Sequence, residues 1–285
     1  MRFTRLVLVG FLSIWGGCQR SGFTPTHVFP DAASLLAHHE GPRRALSSIQ
    51  AEARVDQRGN QGRVRGTVLM FVERVGHVRF DVMTQFGPVL TLTSDGQRFA
   101  LADMRDKTFT TGPACPSNIA RLLGMPVSAT QAAGLLLGGA PELAASTTAG
   151  SDAGSQTHQI EWKPEPGSYL ITRKVGKLIA QMELSLRPED RAVPLAGQRF
   201  RLSRSSLESA SGHVFWRAEY NDYREVQQAD GTRFEVPFHL RVVQPATETD
   251  TLVRFQEVIP NPEIPGGAFA QRTPAGVATV ESPCE

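Results

Sequence analysis

The sequence predicts a mainly β protein with a few helices, built on one curved antiparallel sheet. Apolar and polar residues alternate with period two over most of the chain after Ile49, and tight-turn signals separate these runs. Only short segments show helical periodicity. The alternating runs number about ten or eleven. Because one apolar face of such a sheet has to be covered, we expect an incomplete half β-barrel with the helices lying in its concave side.

The composition is that of a folded protein without a nucleic-acid partner. The 285 residues are 40% hydrophobic and 20% charged, and the mean hydropathy is -0.21, which excludes wholesale disorder. The 30 Lys and Arg residues outnumber the 28 Asp and Glu residues by two, and Arg2 and Arg5 account for the difference. The remaining chain is neutral, so a global attraction to nucleic acid is not expected.

The N-terminus has the pattern of a secretory signal. A basic start with Arg2 and Arg5 precedes the ten-residue apolar run LVLVGFLSIW. This run has about half of the ~20 residues that a spanning helix requires. Residues 1–17 are therefore predicted to be a signal peptide.

The residues that follow predict a lipid anchor. Gly16-Gly17-Cys18 resembles a bacterial lipobox, in which the cysteine becomes the first mature residue and carries a diacylglycerol on its sulfur. Acyl chains such as palmitate at Cys18 would anchor the protein essentially permanently. Gln19 replaces the Asp typical of inner-membrane retention, which favours the periplasmic face of the bacterial outer membrane. The alternative is a free cysteine beside an ordinary signal peptide.

The rest of the chain is predicted to be a tether followed by one domain. Residues 18–30 are polar and punctuated by proline, as expected of a lipidated tether, and residues 31–285 show no internal repeat and no second composition regime. Asp31 is the expected N-cap of a helix over residues 32–40, which Gly41 and Pro42 are expected to break. Further helices are predicted from Ser117 to Leu123 and after Ser128.

The two remaining cysteines are Cys115 and Cys284. In an oxidising compartment, two otherwise unpartnered cysteines are expected to form one disulfide, which would tie the C-terminal tail to the middle of the chain. The alternative is a pair of reduced surface thiols.

The clearest alternating strands supply a candidate apolar lining. One face of the segment from Leu178 to Leu186 is almost wholly apolar, and the segment from Val78 to Val82 alternates in the same way. If the concave side holds a cavity, its expected lining is Val78, Phe80, Val82, Leu178, Met182, Leu184 and Leu186 from strands, and Leu122, Leu123, Leu135 and Leu136 from helices.

Motifs of catalysis are missing from the sequence. It contains no G-x-S-x-G, Walker, G-x-G-x-x-G or H-E-x-x-H motif. His38 and His39 are adjacent on a predicted helix and point about 100° apart, so they cannot chelate one ion together. Asp95 and Asp230 precede glycines and read as turn residues. We therefore predict a protein that is not an enzyme and has no cofactor or metal.

Several short motifs, in order, resemble the LolA/LolB-like lipoprotein-localisation superfamily. They are the R-F-D-V…F-G strand, the L-L-G helices, and the strand pair with a D-G…P pattern from Asp230 to Pro237. The N-P-x-I-P…F segment from Asn261 to Phe269 and the P-x-G of residues 274–276 follow. The resemblance implies an eleven-stranded half-barrel whose helices cover an apolar cavity for acyl chains. Because the receptor branch of this superfamily is itself lipidated, Cys18 moves the chain towards that branch.

The resemblance also implies a membrane-contact loop and partners. Phe86, with Pro88 and Val89 beside it, matches the exposed apolar turn of the receptor type. The alternative is that Phe86 folds into the core. The implied partners are lipid acyl chains or lipoproteins, the membrane, and a periplasmic carrier protein. Two other functions stay open: a structural subunit of an envelope complex with a self-filled cavity, and an envelope hydrolase with a non-obvious site.

Overall fold

One large curved sheet organises the chain. The computed structural model describes residue 23 and residues 25–60, 62–123, 127–140 and 158–284. The predicted signal peptide and Cys18 lie outside the described residues. The strands are β1 (Ser48–Gly59), β2 (Gly62–Glu73), β3 (His77–Thr84), β4 (Gly87–Asp95), β5 (Arg98–Asp103), β6 (Thr108–Pro113), β7 (His158–Lys163), β8 (Ser168–Val175), β9 (Leu178–Leu186), β10 (Phe200–Ser209), β11 (Val214–Gln227), β12 (Arg233–Gln244), β13 (Thr249–Pro260) and β14 (Ala278–Glu281).

The sheet is open, and its order follows the chain in two halves. Strands pair in the order β14-β6-β5-β4-β3-β2-β1-β13-β12-β11-β10-β9-β8-β7, antiparallel throughout except where β14 runs parallel to β6. The predicted incomplete barrel is thus confirmed, but the described residues form fourteen strands and not eleven. A count of alternating runs detects strands with one buried face, whereas all four side chains of β14 are exposed.

Three helices occur among the described residues: α1 (Ala32–Arg43), α2 (Pro116–Leu123) and α3 (Ala129–Leu136). Asp31 caps α1 by accepting from the Ser34 amide at 2.7 Å. The helix does not break at Gly41-Pro42 as expected; it includes both residues and ends one residue later, at Arg43, so the proline lies in its last turn. No described helix has the length and apolarity needed to cross a membrane.

Helix α3 covers the first half of the sheet. Ser128 and Gln131 form a reciprocal capping box that fixes its start. The helix packs on β2 and β3, where Gly76 (φ +95°) allows close approach: a Cβ there would lie 2.7 Å from the Thr130 hydroxyl. The side chains of Val78 and Phe80 are buried beneath this helix, and the two residues are 0% and 1% exposed. The alternation read from the sequence therefore marks the core face correctly.

Aromatic residues bind part of the predicted tether to the sheet. The Phe23 amide donates to the Pro164 carbonyl at 3.1 Å, and the Trp162 indole donates to the Phe23 carbonyl at 2.9 Å. Further along, the Phe29 amide donates to the Tyr169 hydroxyl at 3.0 Å. The segment immediately before α1 is thus part of the folded body.

The C-terminal tail crosses several strands and ends in a disulfide. The Gln271 side chain donates to the backbone of β4 and β5. Beyond β14, Ser282 packs so close to Gly112 that a Cβ on this glycine would lie 2.1 Å from the Ser282 carbonyl oxygen. Cys115 and Cys284, 169 positions apart, are joined in a disulfide with a Cα–Cα distance of 6.0 Å. The expected pairing is therefore present in the structure.

Replacing Cys284 by serine is expected to lower the free energy of unfolding by on the order of 2–5 kcal/mol, because the cross-link closes a very long loop. Urea denaturation measures this loss, and Cys115→Ser and the double variant should lose the same amount. Peptide mapping without reductant should recover a cross-linked pair. Two alkylatable thiols in the native protein would contradict the disulfide between Cys115 and Cys284.

Candidate ligand-binding cavity

The main cavity lies between the helices and the second half of the sheet. It has a volume of about 780 Å³, within the range of about 300–1,000 Å³ that small-molecule sites occupy. The residues that border it are Leu36, Glu40, Arg74, Ser128, Thr130, Gln131, Gly134, Gly139, Ala140, His158, Ile171, Arg173, Ala180, Gln181, Met182, Ser205 and Ser206.

The wall of this cavity is amphipathic. Leu36 from α1 and Ile171, Ala180 and Met182 from β8 and β9 give it an apolar part, and Ile171 pairs directly with Met182 across the two strands. Arginine, glutamate, histidine and amide side chains give it a polar part. This combination fits a ligand with an apolar chain and a polar end.

Tyr220 holds the connection after α3 against the sheet beside the cavity. Its hydroxyl donates to the Gly139 carbonyl at 2.9 Å and lies 3.3 Å from the Ser205 hydroxyl. Burial raises the pKa of Tyr220 far above its usual value, so the side chain is a neutral hydrogen-bond donor. The position of Gly139, which borders the cavity, is thereby fixed.

A second, smaller apolar cavity lies under α3. Its volume is about 60 Å³, and Phe80, Val82 and Leu136 border it together with Val68 and Val253. The space is too small for an acyl chain.

The predicted lining residues are not brought together around one cavity. Met182 borders the main cavity, whereas Phe80, Val82 and Leu136 border the small one. Val78, Leu135, Leu184 and Leu186 border neither cavity, because other side chains close over them in the core; Leu178 is half-buried and also borders neither. The side chains of Leu122 and Leu123 lie outside the described part of the chain.

Most of the residues that border the main cavity were not predicted from the sequence. Leu36 lies on the predicted first helix, and Ile171 and Ala180 lie on strands with period-two alternation. That alternation places Ile171 and Ala180 on the core face, which is the only signal that could have found them. The polar wall, including Arg173 and His158, has no signature in the sequence.

The hairpin between β3 and β4 presents an aromatic side chain to solvent. Phe86 is 91% exposed at its tip, so the alternative that it folds into the core is wrong. Thr84 holds the turn, because its hydroxyl donates to the Gly87 carbonyl at 2.8 Å. Pro88 is exposed beside Phe86, and Val89 is half-buried.

The candidate polar residues have structural roles. The Asp95 carboxylate accepts from the amides of Gln97 and Arg98, and Asp230 accepts from the Thr232 amide, as expected of turn residues. Within the described ranges, no three His, Cys, Asp or Glu side chains are grouped to hold a metal ion.

The two adjacent histidines of α1 have different surroundings. A ring nitrogen of His38 lies 2.6 Å from the Gln198 carbonyl, while His39 is buried. Burial, and then the positive charge of Arg43, lower the pKa of His39 to about 3. His39 is therefore neutral in the native protein at ordinary pH.

This neutral histidine makes stability depend on pH. Between about pH 6.5 and 3 the unfolded chain binds a proton at His39 that the native state does not, so the free energy of unfolding should fall by about 1.4 kcal/mol per pH unit on acidification. The stabilisation is fully present above about pH 6.5. Urea denaturation at pH 7 and pH 5 should show His39→Gln with a smaller slope than the parent. An unchanged slope would contradict this assignment.

Comparison with known proteins shows similarity at the level of the fold. No family model and no curated protein matches the sequence. A LolA superfamily protein from Nitrosomonas europaea superposes with a TM-score of 0.51 at 9% identity, over 85% of this chain and 99% of that chain. A DUF1329 family protein from Desulfovibrio piger gives 0.53 at 9% identity, over 85% and 98%.

The open sheet, the helices that cover it and the cavity between them define a half-barrel fold with a cavity under its helices. More specifically, the chain has a LolA/LolB-like fold.

Proposed function

We propose that this protein is a non-enzymatic outer-membrane lipoprotein that binds acyl chains or lipidated cargo, with a LolB-like role in lipoprotein or lipid localisation. The observation that carries the proposal is the 780 Å³ amphipathic cavity between the helices and the concave face. An acyl chain would contact Leu36, Ile171, Ala180 and Met182, and its polar end would face the hydrophilic part of the wall.

Burial of apolar groups supplies the affinity. Each buried methylene contributes about 0.8 kcal/mol, so ten of them would contribute about 8 kcal/mol before the cost of ordering the chain. The ligand changes no covalent bond, which agrees with the structural roles of Asp95 and Asp230.

The anchor and the exposed hairpin would act together at the membrane. Lipids on Cys18 would hold the protein on the periplasmic face of the outer membrane, where a periplasmic carrier protein would deliver its cargo. Phe86, 91% exposed at a hairpin tip, would contact the bilayer next to Pro88 and Val89. An aromatic ring that is exposed in its own protein would become buried by inserting into the bilayer.

Phe86→Ser is expected to weaken vesicle binding of the unlipidated protein about tenfold, because a buried Phe side chain contributes about 1.5–3 kcal/mol. Vesicle co-sedimentation measures the change. Val75→Ser is the matched control, since Val75 is 65% exposed in the turn at the opposite end of β3. Equal effects of the two substitutions would contradict a role for the Phe86 hairpin.

Mass spectrometry tests the proposed ligand. Protein purified from its own membrane should release an acyl-containing compound that is not attached to Cys18. Repeated recovery of ligand-free protein would favour the structural lipoprotein of an envelope complex. The closed packing of Val78, Leu135, Leu184 and Leu186 is the observation that supports that second candidate.

A further inference from the structure

Large apolar side chains are exposed on three neighbouring hairpins at one end of the sheet. The β1–β2, β3–β4 and β5–β6 turns all lie at this end, because consecutive antiparallel strands turn at alternate ends of a sheet. Each hairpin carries one such residue: Val64 is 64% exposed, Met104 is 46% exposed, and Phe86 is more exposed than either. Among the described residues, the other exposed large apolar side chains lie in other parts of the chain and are Val28, Leu69, Val75, Ile259 and Val280.

The three hairpins place these side chains next to one another. The Met104 amide donates to the backbone of β4 at 2.9 Å, so the turn after β5 lies directly against the Phe86 hairpin. On the other side, the last pair of β2 with β3 at this end is Thr67 with Met83. Val64 and Phe86 each lie three positions beyond that pair, and they therefore extend about equally far along the sheet. We call the surface of Val64, Phe86 and Met104 the hairpin edge.

The same hairpins carry more basic than acidic side chains. Residues 56–65 and 103–107 contain five Lys or Arg residues and three Asp residues, and the β3–β4 turn contains no charged residue. In the first of these hairpins a single carboxylate, that of Asp56, pairs with both Arg63 and Arg65, at 2.5 and 2.9 Å. The hairpin edge therefore combines exposed apolar side chains with a local excess of positive charge.

We propose that the hairpin edge is a docking surface for a bilayer that contains anionic phospholipid. The three apolar side chains would enter the bilayer below the headgroups, and the basic side chains beside them would lie at the level of the lipid phosphates. A bilayer surface can cover three separate hairpins at once, and its negative charge complements theirs. This inference rests on the bilayer contact proposed above for Phe86, and it extends that contact to two further hairpins and to a class of lipid.

Vesicle co-sedimentation of the unlipidated protein tests the apolar part of this surface. Met104→Ser is expected to weaken binding about fivefold, because a half-exposed side chain would gain the rest of its burial in the bilayer. Ile259→Ser is the matched control and should leave binding within about twofold of the parent. Ile259 is 40% exposed, close to the value for Met104, but it lies near the end of β13, at the opposite end of the sheet.

Vesicles with and without phosphatidylglycerol test the charged part. The parent protein should bind the anionic vesicles about tenfold more tightly than vesicles of phosphatidylcholine alone, and added salt should reduce this ratio. Replacing Arg65 and Lys107 together by glutamine should remove most of the preference and leave binding to the neutral vesicles nearly unchanged. Replacing Arg44 and Arg98 together by glutamine is the matched control, because both are exposed and Arg44 precedes β1 and Arg98 begins β5, at the opposite end of the sheet.

Each outcome decides the proposal. Unchanged binding of Met104→Ser would overturn the hairpin edge, and a loss in Phe86→Ser in the same assay would leave the contact of that single hairpin standing. Equal binding of the parent to anionic and neutral vesicles would overturn the assigned class of lipid. If light scattering finds a dimer that Met104→Ser dissociates, the surface joins two copies of the chain and the proposal is wrong. Thermal melting of each variant shows that the fold is retained.

Discussion

Met182→Glu is expected to weaken the binding of a fluorescent fatty-acyl probe about a hundredfold. Met182 borders the main cavity, where it is paired across the sheet with Ile171 on one side and Ser205 on the other. A carboxylate at this point would have to lose its water to admit an acyl chain. Burying this poorly solvated carboxylate would cost about 3 kcal/mol, which corresponds to a loss of probe affinity of about a hundredfold.

Met182→Leu is the matched control for this experiment. It keeps the apolar character and nearly the volume of the side chain, so probe affinity should change by less than about threefold. Far-UV circular dichroism shows whether each variant keeps the sheet. If Met182→Glu binds the probe as the parent does, the acyl chain does not use this cavity.

Cys18→Ser is expected to abolish partitioning of the protein into the detergent phase. Without the sulfur no diacylglycerol can be attached, and the long acyl chains that together hold the protein on a membrane are lost. The variant should be recovered unprocessed or in the soluble fraction. A double replacement of Cys115 and Cys284 is the control, because it removes two cysteines and should leave partitioning unchanged. Membrane retention of a processed Cys18→Ser protein would contradict the anchor.

The sheet was predictable because its signals are local. Alternation from Leu178 to Leu186 and from Val78 to Val82 depends only on which face of a strand is buried, and Asp95 and Asp230 mark turns through their own backbone contacts. The number of strands was not predictable in the same way. Strand β14 has no buried face, and its pairing with β6 depends on the path of the tail and its disulfide to Cys115.

The cavity was less predictable than the sheet because it depends on where the helices lie. Met182 and Leu184 point to the same face of β9, yet one borders the main cavity and the other is fully closed in the core. Alternation cannot distinguish these two residues, since they lie two positions apart on the same apolar face of the strand. Leu36 and Met182 are a stronger case: they are far apart in sequence, and only the fold brings them to the border of one cavity.

Titration of the wild-type mature protein with a fluorescent fatty-acyl probe tests the central claim most directly. The 780 Å³ amphipathic cavity predicts saturable binding of one probe per chain at micromolar concentration or below, with displacement by an unlabelled fatty acid. A protein that is folded and binds no probe at micromolar concentration would contradict both the carrier and the receptor forms of the proposed function.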